Sequence, residues 1–141
     1  MERNHAFLLD EKDDLTKLIT CIRNKDHSRF IALLNGMDLH FINNVKYEGY
    51  TIMQHSVIEG LNEFVDTLLS SNVNANIGDG LYKPVLLAAS YGHWKILKTF
   101  MILVFLNIIL IGLSILKLVW SKNNASMNFR GGKMLNVNSV L

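Results

Sequence analysis

The chain has 141 residues, 50% hydrophobic and 18% charged, which is enough for one domain of ordinary size. Its formal charge of +2 sums two unlike parts: the first 98 residues hold all 12 acids and 10 of the 14 Lys and Arg, and the last 43 hold no acid. No basic cluster marks a nucleic-acid surface, and a single cysteine, Cys21, excludes an internal disulfide and fits a reducing compartment.

Residues 1–13 read as a loosely ordered polar leader. Their one apolar patch, Ala6 to Leu9, is too short for a secretory signal. From Asp14 the pattern turns helical, with Leu15, Leu18, Ile19 and Ile22 on one face of a 3.6-residue period. A break at Asn24-Lys25-Asp26 precedes a second short helix marked by Phe30, Ile31, Leu33 and Leu34. Asn35-Gly36 is expected to end it through a residue that tolerates positive φ.

The figure then recurs. Residues 51–58 form a helix, Glu59-Gly60 turns, and Phe64, Val65, Leu68 and Leu69 mark its partner. Residues 83–90 form a helix with Pro84 in its first turn, where the missing N–H costs nothing. Tyr91-Gly92-His93 turns, and Ile96, Leu97, Phe100 and Met101 begin the next helix. Gly92 follows Gly60 by 32 residues, and Gly60 follows Lys25 by 35. Two short helices and a polar connector at that period are the signature of a helical solenoid.

The residues themselves carry a resemblance. Lys83-Pro84-Val85-Leu86-Leu87-Ala88-Ala89-Ser90-Tyr91-Gly92-His93 resembles the T-P-L-H-x-A-A-x-x-G-H pattern of the ankyrin repeat. Gly49-Tyr50-Thr51-Ile52-Met53-Gln54, with Gly60 and Leu68-Leu69, is similar to a second copy, and Asn72-Val73-Asn74-Ala75-Asn76 to the family's connector. The likeness covers residues 14–101, as copies over 14–48, 49–80 and an incomplete 81–101. It departs from the pattern at Lys25, where glycine is expected, at Arg29, where a core valine is expected, and at Gln54, which replaces the motif histidine. It implies small Ala88 and Ala89 against a neighbouring helix, and a structural hydrogen bond from His93. Each unit buries its apolar face against the next, so about three are needed for a stable stack.

Past Met101 the third copy does not exit into a polar connector. Residues 99–116 carry no charge, and Leu118, Val119 and Trp120 extend the run past Lys117. Eighteen helical residues span about 27 Å, and continuing to Trp120 gives about 33 Å, against a hydrocarbon core of about 30 Å. Residues 99–120 are therefore expected to form a single transmembrane helix, with Trp120 at the headgroups and Lys117 and Lys122 reaching toward water. A buried core helix is the plain alternative, but so small a stack has no surface to cover it on all sides. Residues 121–141 read as a short, basic, disordered tail. The sequon Asn124-Ala125-Ser126 lies so close to the membrane that it is read as chance.

No catalytic constellation is visible. The five histidines show no metal-ligand spacing, and Asp13-Asp14 reads as a solvated helix-starting cluster rather than a carboxylate pair. Cys21 lies on an apolar face as a small core residue. Gly78-Asp79-Gly80 lacks the flanking strand and helix of a phosphate loop and reads as a hairpin turn. The resemblance implies partner contacts on hairpin tips and first-helix faces: Tyr47, Glu48, Tyr50, Gln54, Asp79, Tyr82, Ser90 and Tyr91. Tyrosine is a frequent interface anchor; the same tyrosines could simply edge a small core.

The expectation is an all-α chain, a short ankyrin-like helix-turn-helix solenoid followed by a single transmembrane helix. It is read as a protein-interaction module and not an enzyme, with no metal, cofactor, nucleic acid or small-molecule substrate. Its partner is a protein not identified by the sequence. The module is expected at an intracellular membrane, held like a tail anchor with the N-terminal repeats in the cytosol, or in the cytoplasm if the segment does not insert. The alternative is a truncated or spliced fragment of a larger ankyrin-repeat protein, such as a membrane channel.

Overall fold

A computed structural model describes the backbone over residues 2–128 and the side chains over residues 11–125. Seven α-helices follow one another over this stretch: α1 (Glu2–Asn24), α2 (His27–Leu34), α3 (Leu39–Asn44), α4 (Ile52–Ile58), α5 (Asn62–Ser70), α6 (Pro84–Ser90) and α7 (Trp94–Asn128). The described residues contain no strand. A single antiparallel bridge joins Tyr47 and Tyr50, and a 3-10 turn covers Gly80–Tyr82.

The chain divides into two units, Met1–Met101 and Ile102–Leu141. In the first, α1 packs on α2 and α4, α2 on α5, and α4 on α3, α5 and α6. Helix α1 buries Leu15, Leu18, Ile19, Cys21 and Ile22, the face anticipated from the period. It does not begin at Asp14, however: it starts at Glu2 and runs through the leader. Neither Gly nor Pro interrupts residues 2–24, and Glu2, Ala6, Leu8, Leu9, Glu11 and Lys12 are strong helix formers. Lys17 sits 2.7 Å from Asp13 and 3.3 Å from Asp14 on the solvent side. The hydrogen bond to Asp13, joined by that to Asp14, raises the Lys17 ammonium above the usual lysine range.

The same turn closes four helices: three at the spacing of the repeat, and a fourth, off that spacing, at Asn72, where the Asn72 N–H donates to Leu69 and the Val73 N–H to Leu68. At Lys25, Gly60 and Gly92 the backbone takes φ of +56°, +69° and +72°. In each case the N–H of the turn residue donates to the carbonyl three back (Ile22, Val57, Ala89), and the next N–H to the one five back (Cys21, Ser56, Ala88). These paired bonds satisfy carbonyls that the helix end leaves open. The period of 35 and 32 residues is thus a period in geometry. Lys25 adopts the left-handed conformation that glycine takes at positions 60 and 92.

Asp26 caps α2 by accepting from the Arg29 N–H, and Phe30 and Leu34 are buried. Arg29 itself is exposed, and the Phe30 ring fills the layer 4.7 Å from Phe64. The expected positive φ at Asn35-Gly36 does not occur. Asn35 is right-handed, and Gly36 and Met37 donate to Leu33 and Leu34. The chain there winds on toward α3, capped by Asp38, so no reversal is required. Asn72 supplies the left-handed cap of α5 instead, at φ +61°.

Helix α4 is the centre of the core. Ile52, Met53, Ser56 and Val57 are fully covered, and Thr51 and Gln54 form a reciprocal capping box. In α6, Pro84 stands in the first turn and Leu87 and Ala88 are buried. Ala89 was expected to pack like Ala88. It is exposed, because α6 meets α4 through its other side. Helix α7 opens with Ile96 and Phe100 buried within the first unit.

The second unit is described through Asn128, all of it in α7. The α7 helix contains a stretch, residues 94–125, long and apolar enough to cross a membrane. From Met101 to Trp120 its large apolar side chains are exposed around the helix, with Leu103 alone half-buried. The helix continues into the residues expected as a disordered tail; residues 129–141 of that tail lie outside the described residues.

Candidate functional site

Two clefts flank the turn at Tyr47–Tyr50, and its backbone explains their shape. Glu48 (φ +50°) and Gly49 (φ +87°) are both left-handed, the signature of a two-residue type I′ turn. Tyr47 and Tyr50 exchange N–H···O=C bonds of 2.9 and 3.0 Å across it. His55 holds the turn to α4, its Nε2 lying 2.7 Å from the Tyr47 carbonyl and its ring packing against both tyrosines.

The larger cleft, about 470 Å³, opens between this turn and the Gly80–Tyr82 turn. Glu48, Tyr50, Gln54, Asp79 and Tyr82 line it, together with Asn44 and Lys46 of the expected tip 44–48 and Asn43 just before it. The second, about 240 Å³, lies on the other side of Tyr50, where Glu48 and Tyr91 join Arg23 and Glu59. The Arg23 guanidinium sits 5.3 Å from the Tyr47 ring centroid and 3.7 Å from the Glu48 carboxylate. Arg23 stands on α1, far from the turn in sequence, so only the packing of α1 on α4 brings it there.

Seven of the eight expected contact residues thus gather around one turn. Ser90 does not: it lines neither cleft, and its hydroxyl donates to the Leu87 carbonyl. Gln54 was expected to be an exposed contact and is instead 3% exposed. Its Oε1 accepts from the Thr51 N–H at 2.8 Å, and its amide nitrogen donates to the Tyr82 carbonyl at 2.8 Å. Gln54 therefore fastens one turn to the other beneath the cleft. Gly78 is required by the same fastening, since a Cβ there would lie 2.6 Å from the Gln54 amide nitrogen.

Tyr82 and Tyr91 are more than half exposed, with Tyr82 edging Tyr50 at 6.1 Å and Tyr91 stacked on His93 at 6.1 Å. The 78–80 segment is not a hairpin like the first. It carries no bridge, and Tyr82 N–H donates to the Asp79 carbonyl in a 3-10 turn.

Besides His55, two more histidines of the first unit hold structural bonds. His93 Nε2 lies 2.9 Å from the Ile58 carbonyl, and His27 Nε2 lies 2.7 Å from Thr67 Oγ1. Asn43 Oδ1 accepts from the Asn74 N–H at 2.8 Å. Among the described residues no three His, Cys, Asp or Glu side chains converge as a metal site would require. Burial raises the Cys21 thiol above the ordinary cysteine range, favouring its protonated form.

No protein-family model, no curated protein and no solved structure matches this chain.

Proposed function

We infer that the chain is a protein-interaction module of the ankyrin type, tethered to a membrane by α7. The observation that carries the reading is the spacing of 35 and 32 residues between the hydrogen-bonded turns at Lys25, Gly60 and Gly92, each closing the first helix of a pair. It supports a solenoid because each helix pair leans on the next: α1 on α4, α4 on α6, α2 on α5. Tips that project between successive pairs present exposed Tyr82 and Tyr91 beside Glu48, Asp79 and Lys46, a mixed aromatic and charged surface suited to a protein partner.

The tether rests on the apolar length of α7 and on its uncovered side chains. Such a surface in water would be an aggregation liability, and a bilayer relieves it. The free, buried thiol and the proposed repeat type favour the cytosol for the repeats, at an intracellular membrane. Extraction of cell membranes with alkaline carbonate tests the tether, which requires the chain to stay in the pellet. Affinity capture tests the surface. A partner held by the wild type should be lost with Tyr82→Ala and Tyr91→Ala, and equal recovery would count against it.

A second reading, a piece of a larger ankyrin-repeat protein such as a membrane channel, draws on the outer side of α6. There Leu86 is 41% exposed and Ala89 is exposed, whereas Gln54 and Val57, one period earlier, are buried. A further helix pair would cover that side. A single uninterrupted exon spanning the codon for Met101 would weigh against a spliced origin.

A further inference from the structure

We propose that two copies of this chain pair side by side in the membrane through Asn107. The proposal rests on the reading of α7 as a membrane-crossing helix.

Asn107 is the one side chain between Phe100 and Leu113 able to form hydrogen bonds, and it falls at the middle of the uncharged run 99–116. A carboxamide offers two N–H donors and an accepting oxygen. At the depth of the bilayer centre no water meets them. The other polar group of the inner run behaves differently. The Ser114 hydroxyl donates to the Leu110 carbonyl of its own helix at 2.9 Å and is satisfied without a neighbour. Asn107 has no such bond and stands exposed on the helix.

A second copy answers this need better than a different protein would. A carboxamide is self-complementary, since each donates to the other's oxygen. Two copies inserted in the same direction place their Asn107 side chains at the same depth without further adjustment. The face also permits the approach. Ser114 follows Asn107 at an interval of seven, and Ser121, at the end of the span, follows at fourteen, so two small side chains share its stripe. Gly112 falls off this stripe and takes no part. Leu103, Ile111 and Leu118 flank it and supply the packing of a left-handed pair.

The full chain, labelled separately with donor and acceptor dyes and reconstituted in phosphatidylcholine vesicles, tests this by energy transfer at fixed surface density. Wild type should show transfer that unlabelled wild type competes away. Asn107→Leu should weaken pairing about five- to thirty-fold, and Asn107→Gln should retain it. Transfer in wild type no greater than in Asn107→Leu, with both resistant to carbonate, overturns the pairing alone. Release of wild type by carbonate overturns the membrane reading and the pairing with it. Pairing that survives Asn107→Leu but is lost on substituting Leu103 and Ile111 would overturn the role of the carboxamide.

Discussion

His93 and Ile58 are 35 residues apart in sequence, yet the imidazole Nε2 lies 2.9 Å from the main-chain carbonyl. The bond locks the turn after α6 to the end of α4, and it does so over Gly60, where a Cβ would come within 2.6 Å of the His93 ring. His93→Ala leaves the Ile58 carbonyl without its partner and should lower stability by about 1–3 kcal/mol. The rate at which Cys21 becomes open to a thiol reagent measures this, because the buried thiol reacts only when the first unit opens.

Substitutions at two of the equivalent turns should act in opposite directions. Gly60→Ala forces a side chain into φ +69° and against His93, and should cost at least about 1–2 kcal/mol. Lys25→Gly relieves a φ of +56° at an exposed residue and should gain about 0.5–1 kcal/mol net of the added freedom of the unfolded chain. The same thiol-trapping measurement separates them, and a loss at Lys25→Gly would refute the equivalence of the turns.

Gln54 and Tyr82 share a hydrogen bond, and their side chains should differ sharply in what they contribute. Gln54→Leu removes the capping box and the tie to the Tyr82 carbonyl, for a loss of about 2 kcal/mol. Tyr82→Ala keeps that carbonyl and removes an exposed ring, and should stay within about 0.5 kcal/mol of wild type. Any loss of partner capture by Tyr82→Ala can then be assigned to the surface rather than to unfolding.

Cys21 gives the chain a pH dependence at the alkaline end. Burial raises the folded thiol above its unfolded value, so the folded state holds the proton more tightly. Its stabilising contribution is complete below the unfolded thiol pKa and is lost as pH rises through the folded one. Alkylation of Cys21 at pH 8 should be much slower in the folded chain than in denaturant. Equal rates would mean that α1 does not bury this residue.

A charge in the span should weaken insertion. Ile109→Arg places a guanidinium near the bilayer centre at about 2.5–3.5 kcal/mol on an insertion scale, and should move part of the chain to the carbonate supernatant. Ile109→Val should remain in the pellet.

The parts of the fold legible from sequence are those written in short periods. Leu15, Leu18, Ile19 and Ile22 announced the buried face of α1, and Gly60 and Gly92 announced their turns. Apolar residues 99–120 announced a continuous helix, though not its extension to Asn128. What escaped was set by tertiary partners. Gln54 looked like a surface contact because position alone does not reveal that the Tyr82 carbonyl arrives from the next pair. Arg23 joined the second cleft through the docking of α1 on α4. Ala88 and Ala89 look alike in sequence, and only the neighbour on one side of α6 tells them apart. The six residues of α3 were hidden because the Asp38 cap and Ile42 make too brief a pattern to register.

Helix α4 has neighbours on every flank: α1, α3, α5 and α6 all touch it. Its amide hydrogens are accordingly expected to be the last of the first unit to exchange with solvent, after those of the pairs on either side. Unravelling of the first unit should then converge from both directions on the seven residues Ile52–Ile58, and opening them should take the free energy of the whole layer.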